Sequence, residues 1–192
     1  DVELNKIELL AGVAPGDEIF ANAIQDFGNI IQGYFYIPNL EEVKLFGKEK
    51  NPFEGLELME SSSIEAYIMP EDRELKDYRF VNAYGVTTST PTIAKGSPHF
   101  AFFSNPADKD AIMRWVTQIK ILDGYLMPSL SLKLAAEYLN RDILVVFDND
   151  AIETIELVSR EDESDSMRIP VDPLGFGRIL VNHRGPSRSF QH

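Results

Sequence analysis

Cysteine is absent from this chain of 192 residues. Its absence excludes disulfide scaffolds, thiolate zinc sites, iron–sulfur clusters and cysteine nucleophiles. Histidine is also scarce: His183 and His192 lie near the C-terminus, and no Asp or Glu stands at ligand spacing from His99. A metal site built from histidine is therefore not expected.

Long apolar runs are missing as well. No stretch approaches the roughly 18 to 20 apolar residues that a helix needs to span a membrane, and the first residues lack the basic start and apolar run of a signal peptide. We therefore expect a soluble protein without a membrane partner. The chain begins with Asp1 rather than Met, which fits either a cleaved precursor or a trimmed chain. The compartment is left open, with cytoplasm and virion both considered.

The common catalytic motifs are also lacking. The chain contains no Gly-x-Ser-x-Gly elbow, no P-loop, no dinucleotide-binding glycine turn and no His-Glu-x-x-His helix. No internal repeat is visible either. We expect no cofactor, and only a divalent cation is left open.

Length and composition predict one ordinary core. A chain of this length can bury roughly 70% of the surface that its unfolded form exposes. The order of helices and strands lacks the regular alternation of a doubly wound fold. We therefore predict an α+β fold, with a largely antiparallel sheet packed with three or four helices and an extended C-terminal tail. Residues 1–172 form a single domain in this interpretation, with a subdivision near 87–98 left open, and residues 173–192 form a basic strand and tail.

Apolar spacing and capping residues predict the helices. Asp17 caps the first helix, and Ser129 caps the last. Asn105 as a cap, Pro106 in the first turn and a regular apolar stripe predict a further helix between them. The predicted helices cover residues 17–32, 40–46, 105–122 and 129–139.

Alternating or continuous apolar residues predict the strands. Ile143–Phe147 is continuously apolar, which is typical of a strand buried on both faces. Residues 87–98 are rich in Thr, Ser and Pro, which indicates a long exposed loop or arm. The remaining predicted strands lie at 34–38, at 56–58 and 64–68 as a hairpin, and at 78–86, 99–103, 152–158 and 178–181.

Charge is unevenly distributed along the chain. The net charge is −13, yet the segment from Pro173 to His192 contains arginines and no acidic residue. All 31 acidic residues therefore lie in the preceding body. Because an acidic body repels phosphate groups, nucleic-acid binding is disfavoured, except through the C-terminal tail.

Three aromatic residues stand together after the first helix. In a strand, Tyr34 and Tyr36 would lie on one face and Phe35 on the other. Core packing is the first interpretation of this aromatic group, and a ligand pocket or an interface is the alternative.

Two carboxylates follow the apolar strand directly. Asp148 and Asp150 could hold a divalent cation, because hard oxygen ligands suit Mg²⁺, Mn²⁺ or Ca²⁺. The alternative is a hairpin turn between the strands on either side, since Asp and Asn side chains bond their own backbone in turns.

These features favour a structural or interaction subunit of a larger assembly, such as a viral or phage capsid or tail component. The arm and the basic tail would make subunit contacts, because a cationic tail complements the acidic body of a neighbouring copy. The partners would be other copies of the chain or other assembly subunits. The residues expected at these contacts are Tyr34, Tyr36, Arg178, Arg184 and Arg188.

The second hypothesis is a divalent-metal-dependent enzyme. Asp148 and Asp150 would hold the cation, and Arg141 or Arg160 would be the charge partner of a phosphate- or nucleotide-bearing substrate. Whether the chain is an enzyme is left open, with a non-enzymatic role favoured.

Overall fold

The computed structural model describes residues 15–78, 80, 83–105, 110 and 112–181. These residues form four α-helices and eleven β-strands. The helices are α1 (Pro15–Phe27), α2 (Leu40–Leu45), α3 (Pro91–Ala94) and α4 (Leu130–Tyr138). The strands are β1 (Gln32–Ile37), β2 (Tyr67–Ile68), β3 (Gly85–Thr87), β4 (Phe100–Phe102), β5 (Trp115–Thr117), β6 (Ile119–Leu122), β7 (Tyr125–Pro128), β8 (Arg141–Phe147), β9 (Ile152–Ser159), β10 (Ser166–Pro170) and β11 (Arg178–Leu180).

The strands form two sheets and two hydrogen-bonded pairs. One sheet has the order β10-β9-β8-β2 and the other has the order β3-β1-β4, while β11 pairs with β5 and β6 with β7. Within the described residues, five of the seven strand pairings are antiparallel, and only β1–β4 and β2–β8 are parallel. The prediction of an α+β fold with a largely antiparallel sheet is confirmed.

Two clusters of buried apolar side chains stabilise the fold, and the β6–β7 hairpin contributes to both. Ile119 and Leu126 belong to the cluster formed with β8, β9 and α4, and Leu122 and Met127 belong to the cluster formed with β1 and β4. Because side chains alternate along a strand, Lys120 faces the same side as Leu122. It is fully buried there.

Three of the predicted helices are present with small differences, and the one predicted over 40–46 is α2 (Leu40–Leu45). The helix predicted over 17–32 is α1, which ends early because Gly28 adopts a positive φ of 79°. Ser129 caps α4 as predicted, since its hydroxyl accepts a hydrogen bond from the Leu132 amide at 3.1 Å. None of the described helices is long and apolar enough to cross a membrane. Several apolar residues of α1 that the spacing places in a buried stripe are exposed: Ile19, Phe20 and Phe27.

The helix predicted over 105–122 is wrong. The structure has β5 and β6 in this stretch. The Asn105 side chain does not cap a helix but donates to the Trp115 carbonyl at 2.7 Å and accepts from the Thr117 amide at 3.2 Å, which fixes it against β5. Pairing of β5 with the distant β11, and of β6 with its hairpin partner β7, overrides the local helical pattern. Pro106 lies outside the described residues.

Other local predictions are corrected or sharpened. The hairpin predicted around residues 61–63 is wrong, because 3-10 helices occupy Leu56–Leu58 and Glu60–Ser62. The predicted arm over 87–98 instead contains the end of β3 and helix α3. The strand predicted over 143–147 is β8, but Leu144 and Val146 are only half-buried, so its two faces are not equally covered.

Candidate functional site

A groove of about 570 Å³ opens beside β1 and α2. Small-molecule sites have volumes of roughly 300 to 1,000 Å³ and mostly apolar walls with a few polar groups, and this groove fits that description. We call it the β1 groove. Its lining residues are Phe35, Tyr36, Ile37, Pro38, Glu42, Phe46, Thr87, Ser104 and Asn105.

Strand β1 supplies the aromatic wall of the β1 groove. Tyr36 points into the core and is 4% exposed, whereas its neighbour Phe35 is 52% exposed. The ring of Phe35 lies edge-on to that of Phe103, with 4.2 Å between the centroids. The predicted division of the two faces of this strand is thus correct, and Phe35 presents its ring at the surface.

Helix α2 supplies the charged group of the β1 groove. Asn39 caps this helix: its Oδ1 accepts from the Glu42 amide at 2.8 Å, and its Nδ2 donates to Glu42 Oε1 at 2.9 Å. The Glu42 carboxylate is therefore held in place, and no cationic side chain of the described residues forms an ion pair with it. Phe46 follows the end of α2 and is 54% exposed.

Three polar side chains complete the lining. Ser104 Oγ accepts a hydrogen bond from the Tyr36 amide at 3.2 Å, which ties the segment after β4 to β1. Asn105 is engaged on both sides of its amide by β5. The Thr87 hydroxyl is buried and has no hydrogen-bond partner in the described part of the chain.

Lys120 lies behind the groove wall. Its ammonium is 3.8 Å from the centroid of the Tyr36 ring and 5.9 Å from that of Phe102. Burial lowers the pKa of Lys120 to about 7 and raises the pKa of Tyr36 to about 12. Burial also raises the pKa of Tyr34, whose hydroxyl, like that of Tyr36, has no partner among the described residues. The core behind the groove is therefore unusually polar.

A second, smaller groove of about 320 Å³ lies on the other side of Ser104 and Asn105, which line both. It is bounded mainly by β5 and the start of α4. Both grooves therefore depend on how the segment after β4 is held.

A third groove, of about 350 Å³, lies beside α4 and contains charged side chains. Arg160 pairs with Glu137 at 3.1 Å and with Asp142 at 2.7 Å, and Lys133 pairs with Glu137 at 3.0 Å. The hydrogen bond from Arg160 is the main cause that lowers the pKa of Glu137. Because these cations already have carboxylate partners, the network attaches α4 to the β8–β9 hairpin and does not attract an anion.

Asp148 and Asp150, the two predicted metal ligands, lie in the turn of the β8–β9 hairpin. Asp148 Oδ1 accepts from the amides of Asp150 at 2.8 Å and Ala151 at 2.7 Å, which is the turn geometry of the alternative interpretation. In the described residues, no group of three or more His, Asp or Glu side chains is placed to hold a metal ion. Cation binding by this pair stays a prediction.

The two arginines assigned to that hypothetical enzyme lie at the far end of the same hairpin. Arg141 begins β8 and Asp148 follows its end, and a strand of this length spans roughly 20 Å. Arg141 pairs with Asp165 at 2.6 Å, and Arg160 is engaged by α4. Neither arginine can reach a substrate held at Asp148.

The residues predicted for subunit contacts are dispersed. Tyr34 and Tyr36 are buried in the core of this chain, which leaves little of either ring for another copy. Arg178 lies in β11, folded back onto β5 and paired with the buried Asp172 at 2.9 Å. Arg184 and Arg188 lie outside the described residues, so their contacts stay a prediction.

The sequence did not indicate a functional role for several residues around the β1 groove, because no pattern in the neighbouring sequence distinguishes them. The helix predicted over 105–122 places Lys120 on a solvated face. A lysine between Ile119 and Ile121 in a short apolar run is the one pattern that indicates a buried charge. The residues missed are Glu42, Phe46, Thr87, Ser104, Asn105 and Lys120.

Comparison with known proteins bears on the whole chain. The family model of the CHASE2 domain matches residues 2–192. No curated protein and no solved structure matches the chain.

CHASE2 domains are sensory extracellular domains associated with cyclases and histidine kinases. The interpretation as a capsid or tail subunit is therefore wrong, and the metal-dependent enzyme has no support either. The resemblance to assembly proteins depended on an exposed arm at 87–98 and a free basic tail, but the described part of the arm is folded and Arg178 is held by Asp172. The family match covers every described residue, and the chain belongs to the CHASE2 domain family.

Proposed function

We propose that this chain is the extracellular sensory domain of a signalling protein and binds a small molecule in the β1 groove. The match to the CHASE2 domain over residues 2–192 carries the sensory role. The groove supports the choice of site because it combines ligand-sized volume, aromatic walls and a few polar groups. The charged groove beside α4 is a weaker candidate, since its side chains are satisfied by one another.

The contacts of β1 supply a route by which an occupied groove would affect the rest of the domain. Gln32, at the start of β1, donates to the carbonyls of Ile93 at 3.0 Å and Ala94 at 3.1 Å in α3. The Thr90 hydroxyl before α3 donates to Asp17 Oδ2 of α1 at 3.0 Å. A shift of β1 on ligand binding therefore reaches α1 through directly bonded groups.

Ligand-observed NMR with a library of small metabolites tests this proposal on the 192-residue chain. Phe46→Ala removes an exposed groove wall, and Leu45→Ala is the matched control, because Leu45 is the preceding residue, is 80% exposed and does not line the groove. We expect at least one library member to bind the wild type and the Leu45 variant, and to bind the Phe46 variant several-fold more weakly.

Amide chemical shifts provide the second readout. Binding should move resonances of α1 as well as those of the groove, in line with the bonded route through Gln32 and Asp17. If ligands bind the Leu45 and Phe46 variants equally and the amide chemical-shift changes are confined to another surface, the β1 groove is not the binding site.

A further inference from the structure

We infer that the β1 groove selects a small organic cation, an amine attached to an apolar or aromatic group, over neutral and anionic molecules. This inference rests on the proposed function, because it names the ligand class of the same groove. Two features of the lining support it, its aromatic surface and the single carboxylate of Glu42, which is both its charge and a hydrogen-bond acceptor.

The aromatic surface favours a cation. Phe35 and Phe46 are each more than half exposed and line the groove. The face of an aromatic ring carries negative electrostatic potential, so a ring attracts an ammonium group placed over it. Lys120 already uses this property on Tyr36 from inside the core, at 3.8 Å. The two phenylalanine rings therefore provide the faces for a ligand.

The charge of the lining has one sign. Glu42 is the one charged side chain among the nine lining residues, and Lys, Arg and His are absent from this set. The Glu42 carboxylate is oriented by Asn39 and forms no ion pair with any described cation. A ligand ammonium would give this carboxylate the partner that the described chain does not supply.

Lys120 does not reverse this preference. Its side chain is fully buried and is not part of the groove lining, so an anionic ligand could not contact it. Burial also lowers its pKa to about 7, which reduces its average positive charge near neutral pH. The net charge of −13 adds a long-range attraction for cations.

The free hydrogen-bonding capacity is suited to N–H donors. The Thr87 hydroxyl oxygen has no partner among the described residues, and the Glu42 carboxylate retains acceptor capacity beyond its bond from Asn39. An ammonium group offers three donors and no acceptor. Exposed aromatic rings and one carboxylate without a cationic partner among the described residues together form a site for an amine.

A set of three nearly isosteric probes tests this inference by NMR titration of the 192-residue chain at pH 7. The probes are 2-phenylethylamine, 2-phenylethanol and phenylacetate, which are cationic, neutral and anionic. We expect the amine to bind about fivefold to tenfold more tightly than the alcohol, and phenylacetate to bind most weakly. Failure of the amine to bind, or equal affinity for the amine and either other probe, overturns the inference.

Glu42→Gln identifies the carboxylate responsible. It should reduce the affinity for 2-phenylethylamine to that for 2-phenylethanol and leave the alcohol unaffected. Glu41→Gln is the matched control, since Glu41 is the neighbouring exposed acid on α2 and does not line the groove. An unchanged amine affinity in the Glu42 variant also overturns the inference. If metabolites of another charge class bind and Phe46→Ala weakens their binding, the inference fails but the proposed function stands. The two failures are therefore distinguishable.

Discussion

The ammonium of Lys120 lies 3.8 Å from the ring centroid of Tyr36, with both side chains in the core. The cation–π contact offsets part of the free energy needed to remove a charge from water, and burial still lowers the pKa of Lys120 to about 7. Because Tyr36 is also among the lining residues of the β1 groove, the lysine and the groove contact the same residue of β1.

Lys120→Met should stabilise the domain, and the gain should depend on pH. Lys120 has a pKa of about 7 in the folded state against an ordinary lysine pKa of 10.5, so the unfolded state binds more protons between these values. The stability of the wild type therefore rises from pH 7 to pH 10.5 as the penalty is relieved. We expect a gain of about 2 to 4 kcal/mol at pH 6, measured by urea unfolding, and a clearly smaller gain at pH 9.5. The control is Lys95→Met at an exposed position, and an equal gain at both pH values would contradict this account.

Arg178→Met should destabilise the fold substantially. Asp172 is buried, and its carboxylate accepts from both the amide and the guanidinium of Arg178 at 2.9 Å. Removal of the guanidinium leaves a buried carboxylate without its cation, which costs about 2 to 4 kcal/mol. Arg168→Met is the control, because the ion pairs of Arg168 are exposed and worth about 0.5 kcal/mol or less. Equal unfolding free energies for the two variants would show that the Asp172 pair is not structural.

Asp148 should matter as a turn residue and Asp150 should not. Asp148→Ala removes the acceptor of two turn amides and is expected to cost about 1 to 2 kcal/mol. Asp148→Asn keeps an acceptor oxygen and should cost much less. Asp150→Ala serves as the comparison, because among the described residues its carboxylate has one ion pair, a long exposed contact of 4.0 Å with Arg73. If Asp148 and Asp150 bound a metal ion, Mn²⁺ would raise the melting temperature of the wild type, and substitution of either residue would abolish that rise.

Gly175→Ala should destabilise the junction between the hairpin turn and β11. Gly175 has a φ of +72°, and an added Cβ would collide with Ala151. Strain from positive φ and this collision together should cost about 2 kcal/mol or more. Gly28→Ala is the matched control, because Gly28 has a similar φ of +79° but open space around it. Gly28→Ala should lower the free energy of unfolding by the backbone strain alone, about 1 kcal/mol. Thermal unfolding of both variants separates the two contributions, and equal losses would disprove the collision.

Local patterns predicted the elements that form from neighbouring residues. Ser129 caps α4 as expected, because capping depends on groups within one helical turn. The β8–β9 hairpin follows from an apolar strand, an Asp-rich turn and a second strand. The alternation of Tyr34, Phe35 and Tyr36 between the two faces of β1 likewise follows from strand geometry, whereas the structure decided that the tyrosine face is the buried one.

Residues 105–122 illustrate where such patterns fail. A cap, a proline and an apolar stripe favour a helix, but β5 pairs with β11 about sixty residues later in the chain and β6 pairs with β7. These pairings bury Ile119 and Leu122 in different clusters, which stabilises strands more than local propensity stabilises a helix. Propensity acts within a few residues, whereas strand pairing depends on partners that only the complete fold brings together.

The sequence alone determined the α+β class, the absence of cysteine chemistry and the division of Tyr34, Phe35 and Tyr36 between the two faces of β1, because each depends on composition or on residues close in the chain. Only the tertiary structure decided that Lys120 is buried behind Tyr36 and that Glu42, Thr87 and Ser104 line one groove. These residues come from separate helices, strands and a loop, and their proximity results from the packing of two sheets and a hairpin. That arrangement is a property of the folded chain as a whole, since no local segment contains enough of the site to specify it.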